Sequence, residues 1–551
     1  MTYKSAPNRP FQVSGVPVVL ETRLGDIKGD EFFFLSRKIR SFLSVPFAEP
    51  PVELQRFQVA RPKRAWPSIL DATKPSPACF QLRDDYNTSF WGSEMWNANT
   101  PISEDCLYLN IWAPAEAYNL AVMVWLFGGG FYSGSPSLEL YDGRALASAG
   151  NVIVVNVNYR LGPFGFLYLD HPDVPGNMGL LDQQMALHWI RDHISAFGGD
   201  PGKVCLFGES AGAASIVAHL IAPASRGLFG NAILQSGSLD NKWAMDSPSR
   251  AKQKSLELTR LVGYGADGVM PSSGPGAASD AAHVATETRL PRVPAPVNSL
   301  FSDRHFFRHN DALVSLRRLN FASVDVNLMI GMNRDEVLGV QPDIVRSAAK
   351  FIYGDEKCTF SDKKNRFYAQ QVNNVVGDYF FTCDSLWLAR EYANNRRIKG
   401  RVYVYYFAQS SSTNPWPKWV GAMHGYEIEF VFGLPLHVET YKRREAILSR
   451  KVVQFWTSFA TSGRPRLDVP KRTESWSEYD GVNNTKWMML KSGSNVRLIE
   501  EKKRSQCTFW RRVKDAEYST YLTETYSPKA SGSRQFLFYF LFLFPFFLTR
   551  I

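Results

Sequence analysis

A short glycine and serine turn between an apolar strand and a helix restricts the fold of this chain more than any other feature of its sequence. Gly208-Glu-Ser-Ala-Gly212 follows the apolar run Val204–Phe207 and opens the segment Ala211–Ile221, whose small apolar residues are typical of a buried helix. A G-x-S-x-G pattern allows the strained strand-to-helix turn that holds a serine hydroxyl above a sheet edge. The pattern therefore predicts Ser210 as a nucleophile, with the N–H of Ala211 directed at a developing oxyanion.

Apolar runs alternate with helical patterns on both sides of this turn. Strands are predicted at Ala121–Phe127, Val152–Val157, Val204–Phe207, Ala232–Gln235 and Asn327–Gly331, with a helix at Leu180–Ile194. The alternation predicts an α/β fold with a large, mostly parallel central sheet flanked by helices. The 551 residues, 45% of them apolar, are enough to bury such a core. Residues Gly263–Ser299 are rich in Gly, Ala, Pro and Ser, which predicts a loop or partial disorder.

Three consecutive glycines, Gly128-Gly129-Gly130, directly follow the first predicted strand. Glycines let the backbone approach a substrate and direct successive N–H groups at one oxygen, as an oxyanion-hole loop does. An ordinary glycine-rich turn is the alternative for this motif taken alone. Beside the predicted nucleophile, the oxyanion-hole interpretation is favoured.

A serine nucleophile needs a base and an acid, which follow it along the chain in this class of fold. Of nine histidines, only His424 and His437 lie far downstream. His424 is followed by a glycine in a predicted loop, whereas His437 is predicted to be a surface residue in a turn. We therefore expect His424 to be the base. Asp335 and Glu336 both follow the predicted strand at 327–331, and physical reasoning alone leaves open which of them is the acid.

Three longer motifs resemble a known enzyme family. Gly208–Ser215 (GESAGAAS), Ser103–Trp112 (SEDCLYLNIW) and His424–Gly433 (HGYEIEFVFG) are similar to the type-B carboxylesterases, and within them to the acetylcholinesterases. The likeness runs from about residue 25 to residue 510. It implies one α/β-hydrolase domain with a deep gorge lined by aromatic side chains, residues 1–525, and a C-terminal tail, residues 526–551. It also implies a serine esterase for choline esters, acetylcholine above all, without metal or cofactor.

The resemblance assigns the site residue by residue. An N-[KR]-D-E motif makes Glu336 the triad acid beside Ser210 and His424. Trp96, within Ser93-Glu-Met-Trp-Asn97, is implied to stack on the choline ammonium, an interaction that gains about 0.5–2 kcal/mol. A core tryptophan is the alternative for Trp96 alone. The implied oxyanion hole is Gly129, Gly130 and Ala211, and the implied substrate-binding residues are Trp96, Glu209, Tyr141, Tyr426, Trp243 and, at the gorge mouth, Tyr132 and Asp84.

Cysteine pairing follows from the same resemblance. Cys79–Cys106 and Cys383–Cys507 match two of three disulfides usual in the family, and the third pair has no counterpart. Cys205, in the strand before the serine, is expected to be a buried free thiol. Cys358 has no assigned role.

Some positions depart from the family pattern. Two phenylalanines that normally narrow the acyl pocket would lie near residues 294–297, where none is found. Val337-Leu-Gly-Val340 lacks the aromatic residue expected in the choline site, and Leu82 replaces a tyrosine usual at the gorge mouth. The sequence therefore leaves open whether acetyl or butyryl esters are preferred.

Two rival functions remain at this stage. A broad carboxylesterase would hydrolyse neutral esters without preferring choline esters. A non-catalytic adhesion protein on the same fold would generally lack the nucleophile or the histidine, both of which are present here. The net charge of +11 is spread over scattered basic residues without a nucleic-acid-binding motif, so no nucleic-acid partner is expected.

Signals for cellular location disagree with one another. Sequons at Asn87 and Asn483 fit a secreted or cell-surface glycoprotein. Met1–Pro10, in contrast, lacks the apolar stretch of a signal peptide. The apolar run Phe536–Leu548 after Ser531-Gly-Ser533 resembles a GPI-anchor signal with a short polar spacer, so membrane attachment through a lipid is a further expectation. The resemblance also allows a homodimer.

Overall fold

The computed structural model describes residues 15–84, 89–261, 300–301, 303, 305–307, 311–336, 373–469, 472–493 and 496–526. Several sequence predictions fall outside these ranges. They concern the sequon residue Asn87, Cys358, the segments Gly263–Ser299 and Val337–Val340, and the apolar tail Phe536–Leu548.

One large sheet contains thirteen of the strands in the described ranges. Its strand order is β1-β2-β3-β7-β9-β8-β10-β11-β12-β13-β16-β17, and β4 pairs with β2 outside this path. The strands are β1 Val16–Leu20, β2 Ile27–Phe34, β3 Arg37–Pro46, β4 Leu70–Asp71, β5 Ala78–Cys79, β6 Ile102–Ser103, β7 Tyr108–Pro114, β8 Leu120–Leu126, β9 Ile153–Val157, β10 Gly199–Glu209, β11 Asn231–Gln235, β12 Asn327–Asn333, β13 Val402–Phe407, β14 Arg466–Val469, β15 Arg472–Ser475, β16 Trp487–Leu490 and β17 Arg497–Ile499.

The centre of the sheet is parallel and its first edge is antiparallel. Neighbouring strands from β9 through β8, β10, β11, β12 and β13 to β16 run parallel. The strands β1, β2, β3 and β7 pair antiparallel, and β7 joins the parallel part by pairing antiparallel with β9. All residues of β9, β11 and β13 are buried, as expected for strands covered on both faces. The α/β architecture agrees with the sequence prediction.

Helices fill the connections between the central strands. Two of them, Ala211–Ile221 and Arg443–Ser462, pack against β8, β10 and β11. No helix in the described ranges is both long and apolar enough to cross a bilayer. The helices are α1 Trp91–Glu94, α2 Arg144–Gly150, α3 Gly162–Phe166, α4 Met178–His193, α5 Ala211–Ile221, α6 Pro248–Leu261, α7 Ala312–Arg317, α8 Cys383–Asn394, α9 Ile428–Val431, α10 Arg443–Ser462 and α11 Arg504–Tyr526.

The register of the parallel strands brings distant parts of the chain to one sheet edge. Glu209 at the end of β10 pairs with Gln235 at the end of β11, and Gln235 pairs with Gly331 in β12. The residues that follow these strand ends therefore emerge side by side. Among them are Ser210 and Glu336, which the sequence predicts to act together.

Both predicted disulfides are present. Cys79–Cys106 closes the segment that carries α1 and Trp96, and Cys383–Cys507 joins α8 to α11. Cys205 lies buried in β10 with an unpaired thiol, as expected.

Candidate active site

Ser210 occupies a strained turn at the end of β10. Its backbone has φ 54° and ψ −118°, a left-handed conformation that L-residues adopt at a free-energy penalty. The Ser210 N–H donates to the carbonyl of Gln235 over 2.9 Å, which holds the turn against β11. A Cβ atom at Gly212 would collide with the carbonyl of Leu126, so only glycine permits this close passage. The local sequence thus forms the strand-turn-helix arrangement that was predicted.

The glycine-rich loop after β8 lies directly against Ser210. A Cβ atom added at Gly128 would lie 3.1 Å from the Cβ of Ser210 and 2.6 Å from Oε2 of Glu209. Gly129 and Gly130 adopt φ values of 108° and 58°, which favour glycine. The backbone at these two positions can therefore approach a substrate bound at Ser210 more closely than any other residue type would allow.

Glu336 and His424 meet beside this turn. His424 Nδ1 lies 2.9 Å from Glu336 Oε2 in a hydrogen bond. The other oxygen of Glu336 accepts from Ser236 Oγ at 2.6 Å and from the N–H of Asn333 at 2.5 Å. Both Glu336 and His424 are buried. The carboxylate is therefore held in one orientation by three donors from different parts of the chain.

The alternative acid, Asp335, has a different set of partners. Its Oδ2 accepts from the N–H of Ala422 at 2.8 Å and from Arg334 Nε at 2.8 Å. The two acids thus differ in their contacts, because Glu336 contacts His424 whereas Asp335 binds the backbone of the histidine loop. His437 is half-buried with its ring against Phe34, with ring centroids 5.0 Å apart, and is not the surface residue that was predicted.

The second nitrogen of His424 contacts another carboxylate. Nε2 lies 2.9 Å from Oε1 of Glu209, the residue before Ser210. No hydrogen bond joins Ser210 Oγ to the imidazole among the described residues. Burial lowers the pKa of His424, but the Glu209 and Glu336 carboxylates raise it more strongly, to about 10. The two carboxylates therefore favour the protonated form of the imidazole.

Trp96 and Tyr426 line the space next to Glu209. A Cβ atom at Gly425 would lie 2.9 Å from the Trp96 ring and 3.7 Å from Glu209 Oε1, so the residue after His424 bridges the two. The Trp96 and Tyr426 rings are arranged edge to face, with centroids 6.1 Å apart. Tyr426 Oη accepts a hydrogen bond of 2.7 Å from Trp416 Nε1, which fixes its ring. An indole, a phenol and a carboxylate are thus brought together beside the imidazole.

Tyr141 forms part of the wall behind Glu209. Its ring packs in the core against Trp125 and Phe432, with centroids 5.1 and 5.8 Å away. Burial and the nearby Glu209 carboxylate raise the pKa of Tyr141 well above its ordinary value, so it remains a neutral phenol.

Asp84 and Tyr132 lie at the surface. Asp84 is exposed and Tyr132 is 53% exposed. Partial burial and the Asp84 carboxylate together raise the pKa of Tyr132. Asn97 connects Asp84 to the neighbourhood of Trp96, because its side chain donates to the Asp84 carbonyl and accepts from the Asp84 N–H, both over 2.9 Å.

The described parts of the chain contain no cluster of three or more His, Cys, Asp or Glu side chains that could hold a metal ion. Asn483, one of the two sequon residues, is exposed in a turn where Asp480 Oδ1 accepts its N–H over 2.7 Å.

Comparison with known proteins gives the family of this chain. The model of the carboxylesterase family matches residues 16–356 and 322–510. The chain belongs to the carboxylesterase family. Among its relatives, acetylcholinesterase 4 of Caenorhabditis briggsae is 60% identical, over 93% of this chain and 92% of that protein. Cholinesterase of Mus musculus is 36% identical, over 90% of this chain and 86% of the mouse protein. Acetylcholinesterase of Bungarus fasciatus is also 36% identical, over 89% and 85%.

Membership in the family confirms two predictions. The chain is a serine carboxylic-ester hydrolase, and its large, mostly parallel sheet flanked by helices is an α/β-hydrolase fold.

One aromatic side chain next to His424 was missed in the carboxylesterase sequence. The Phe381 ring lies against the imidazole with centroids 4.2 Å apart and the two planes tilted by 38°, and its centroid lies 5.9 Å from that of Trp243. It belongs to a π-helical turn, Asp378–Thr382, a local geometry that is frequent at functional sites. Trp243 is fixed to the same turn, since its Nε1 donates to the Phe380 carbonyl over 3.0 Å. No pattern in the sequence marks Phe381 as part of the site, because an aromatic residue two positions before Cys383 would ordinarily be interpreted as core.

A third buried carboxylate was also missed. Glu427 accepts from Gln235 Nε2 at 3.0 Å and from Asn333 Nδ2 at 2.5 Å. Burial, and then the charges of Glu209 and Glu336, raise the pKa of Glu427 to about 7. The repeated acids of the HGYEIEF segment were the signal, because a carboxylate three residues after a predicted catalytic histidine is rarely remote from it.

Proposed function

We propose that this carboxylesterase hydrolyses choline esters, acetylcholine above all, through an acyl-enzyme at Ser210. The observation that carries the proposal is the position of Trp96 and Glu209 next to Gly425 and the imidazole of His424. An indole face and a carboxylate beside one another suit a quaternary ammonium ion. The named activities of the relatives from Caenorhabditis, mouse and Bungarus support the same substrate class.

We assign the chemical roles by analogy with the Ser-His-acid triad. Ser210 Oγ attacks the ester carbonyl carbon while His424 Nε2 takes the hydroxyl proton and Glu336 holds the imidazole through Nδ1. The N–H groups of Gly129, Gly130 and Ala211 stabilise the oxyanion of the tetrahedral intermediate. Collapse breaks the bond to the choline oxygen, which takes the proton from His424. Water then attacks the acyl carbon by the same route and releases the acid and Ser210.

The imidazole must leave Glu209 before it can serve Ser210. The Glu209 and Glu336 carboxylates raise the pKa of His424, which favours the protonated imidazole when the site is empty. A quaternary ammonium ion bound between Trp96 and Glu209 places a second positive charge near the imidazolium. Like charges disfavour each other, so the bound substrate lowers the pKa of His424 and competes with it for Glu209. Binding of the choline group thus favours the neutral imidazole that acts as base in the hydrolysis of the same ester.

The family's usual acyl-pocket phenylalanines, expected near residues 294–297, are absent from this sequence. Phe381 supplies an aromatic wall for the acyl pocket in their place. Its ring stands beside His424 and near Trp243, where the acyl group of an ester bound at Ser210 would lie. We propose that this ring restricts the pocket to short acyl chains and favours acetyl over butyryl esters. Phe131, with a ring centroid 6.4 Å from that of Trp243, adds to the same aromatic wall.

The test of the choline site compares two substrates and two variants. Acetylthiocholine and its uncharged isostere 3,3-dimethylbutyl thioacetate differ only in the ammonium charge. Loss of a cation–π contact worth about 0.5–2 kcal/mol lowers kcat/KM about 2- to 30-fold. We expect this loss in Trp96→Ala for acetylthiocholine alone. Trp91→Ala, a substitution of a partly exposed tryptophan in α1, serves as the matched control.

Two outcomes separate the rival functions. A broad carboxylesterase would show equal kcat/KM for both substrates and no selective effect of Trp96→Ala. A non-catalytic protein would fail to label at Ser210 with a fluorophosphonate.

We further propose an extracellular or cell-surface location. Two disulfides support it, because such bonds persist mainly in oxidising compartments. Glycosylation at Asn87 and Asn483, attachment through a C-terminal lipid and a homodimeric state belong to the same proposal. Mobility after treatment with a glycosidase, release from cells by a phosphatidylinositol-specific phospholipase and the mass in solution test the three parts separately.

A further inference from the structure

The acidic turn after β12 and the loop that carries His424 are joined through their backbones. The Asp335 N–H donates to the carbonyl of Ala422 over 3.0 Å, and the Ala422 N–H donates back to Asp335 Oδ2 over 2.8 Å. Asn333 Nδ2 adds a bond of 2.6 Å to the carbonyl of Met423. These contacts hold the two residues that immediately precede His424.

The histidine loop has little regular structure of its own. Gly421 adopts φ 84°, and α9 does not begin until Ile428. A Cβ atom at Gly421 would collide with the Asp335 carboxylate, so the loop packs directly on that side chain. Asp335 is buried, and its acceptor oxygen therefore has a defined position under the loop.

We propose that Asp335 is a positioning residue that places the imidazole of His424 by holding Ala422. The inference rests on the proposed function, since it assigns Asp335 a role in the same hydrolysis. The two adjacent acids then have different roles. Glu336 orients the imidazole directly, and Asp335 fixes the position of the loop that carries it. A displacement of about 1 Å in a catalytic group can lower the rate about 10²-fold, so the loop position matters for kcat.

Arg334 offers a competing explanation, because it shares the same oxygen. Its Nη2 lies 2.7 Å from Asp335 Oδ2, but the Arg334 side chain is 38% exposed. Only the Arg334 side of this pair is exposed, because the Asp335 side chain is 2% exposed. Arg334 Nη2 also reaches the histidine loop, since it would lie 2.7 Å from a Cβ atom at Gly421. The ion pair and the hydrogen bond to Ala422 therefore have to be removed separately.

Three variants distinguish these contacts. Asp335→Leu and Asp335→Asn have nearly the same shape, but only the amide oxygen can accept from Ala422. Arg334→Ala removes the ion pair and leaves the acceptor. We expect kcat for acetylthiocholine to fall on the order of 100-fold in Asp335→Leu, and to stay within about fivefold of the parent in the other two. Asp335→Ser, whose hydroxyl is too short to reach Ala422, replaces the leucine variant if that protein does not fold.

Two readouts separate positioning from general damage. The inhibition constant of tetramethylammonium, a probe for the space beside Trp96, should not increase in Asp335→Leu, because a displaced imidazole no longer competes with the cation for Glu209. The acidic limb of the pH profile of kcat/KM should move to lower pH, because a displaced imidazole loses its 2.9 Å contacts with Glu209 and Glu336. A purely structural defect would lower the yield of folded protein without moving that limb.

The result that overturns the inference is equal impairment of Asp335→Leu and Asp335→Asn, or full activity of Asp335→Leu, or a loss in Arg334→Ala as large as that in Asp335→Leu. Failure of the parent enzyme to hydrolyse acetylthiocholine would instead refute the proposed substrate. In that case the rate of Ser210 labelling by a fluorophosphonate gives the same comparison of variants. A labelling rate that falls in the leucine variant alone supports the role of Asp335.

Discussion

Nε2 of His424 lies 2.9 Å from Oε1 of Glu209, on the opposite side of the imidazole from Glu336, whose Oε2 lies 2.9 Å from Nδ1. One buried ring therefore stands between two buried carboxylates. The arrangement stabilises an imidazolium, whereas attack by Ser210 requires a neutral imidazole as base. Any change that removes or neutralises the contact between His424 and Glu209 should therefore affect the activity.

Replacing the Glu209 carboxylate should make the base easier to deprotonate. Because Glu209 raises the pKa of His424, Glu209→Gln lowers it. Activity is lost as the pH falls through the pKa of the base, so the acidic limb of kcat/KM should shift to lower pH in this variant. The measurement is a pH profile with a neutral thioester, which avoids direct loss of cation binding. Glu439→Gln, at an exposed position, is the control and should leave the limb in place.

A cationic substrate should move the same limb without any mutation. The profile of kcat/KM reports the free enzyme, and that of kcat reports the enzyme–substrate complex. With acetylthiocholine, the ammonium beside Glu209 disfavours the imidazolium, so the acidic limb of kcat should lie at lower pH than that of kcat/KM. With 3,3-dimethylbutyl thioacetate the two limbs should lie closer together. Coincident limbs for the cationic ester would contradict the coupling between the choline site and the base.

The sequence predicts those features of the site that are formed by residues adjacent along the chain. The turn at Ser210 could be predicted because β10, the turn and α5 follow one another directly, and small residues are required where the chain crosses β8. The choice between Asp335 and Glu336 could not be made from residue chemistry. Both side chains leave the same strand end, and which one meets the imidazole depends on where the loop at Gly421 packs.

The long-range part of the site depends on packing that no sequence pattern encodes. Phe381 precedes a disulfide cysteine in a helical segment, where an aromatic residue is usually interpreted as core. Only the π-helical turn at Asp378–Thr382 brings its ring over His424. The contact between His424 and Glu209 could not be predicted from the sequence either. A side chain next to the nucleophile can point toward a substrate or toward the base.

Removal of the Phe381 ring should widen the range of acyl chains. Phe381→Val opens space between His424 and Trp243, so the ratio of kcat/KM for butyrylthiocholine to that for acetylthiocholine should rise. The loss of one ring–ring contact, worth about 0.5–1.5 kcal/mol, should also lower kcat for both esters a few-fold, because the Phe381 ring restricts the motion of the imidazole. Phe380→Val is the matched control, because that ring packs on Tyr379 and not on His424. An unchanged butyryl-to-acetyl ratio in Phe381→Val would place the acyl group elsewhere.

The Cys79–Cys106 disulfide should contribute to selectivity as well as to stability. It closes a segment of 27 residues in sequence separation that includes Trp96, whereas Cys383–Cys507 spans 124 residues and joins helices away from that segment. Loop-closure entropy assigns about 3–4 kcal/mol to the shorter loop and about 5 kcal/mol to the longer. Replacing either pair by serine should therefore lower the melting temperature, with the larger decrease for Cys383→Ser/Cys507→Ser.

The two double variants should show the opposite order in substrate selectivity, with the larger loss of selectivity for Cys79→Ser/Cys106→Ser. Without Cys79–Cys106 the segment carrying Trp96 is held mainly by hydrogen bonds such as those of Gln81 with Gly134, at 2.7 and 2.9 Å. The indole then spends less time beside Glu209, and the preference for acetylthiocholine over its neutral isostere should decrease. The Cys383→Ser/Cys507→Ser enzyme should keep that preference while it remains folded. If both variants lost selectivity in proportion to their loss of stability, the disulfide would act only on folding, and the choline site would need no local restraint.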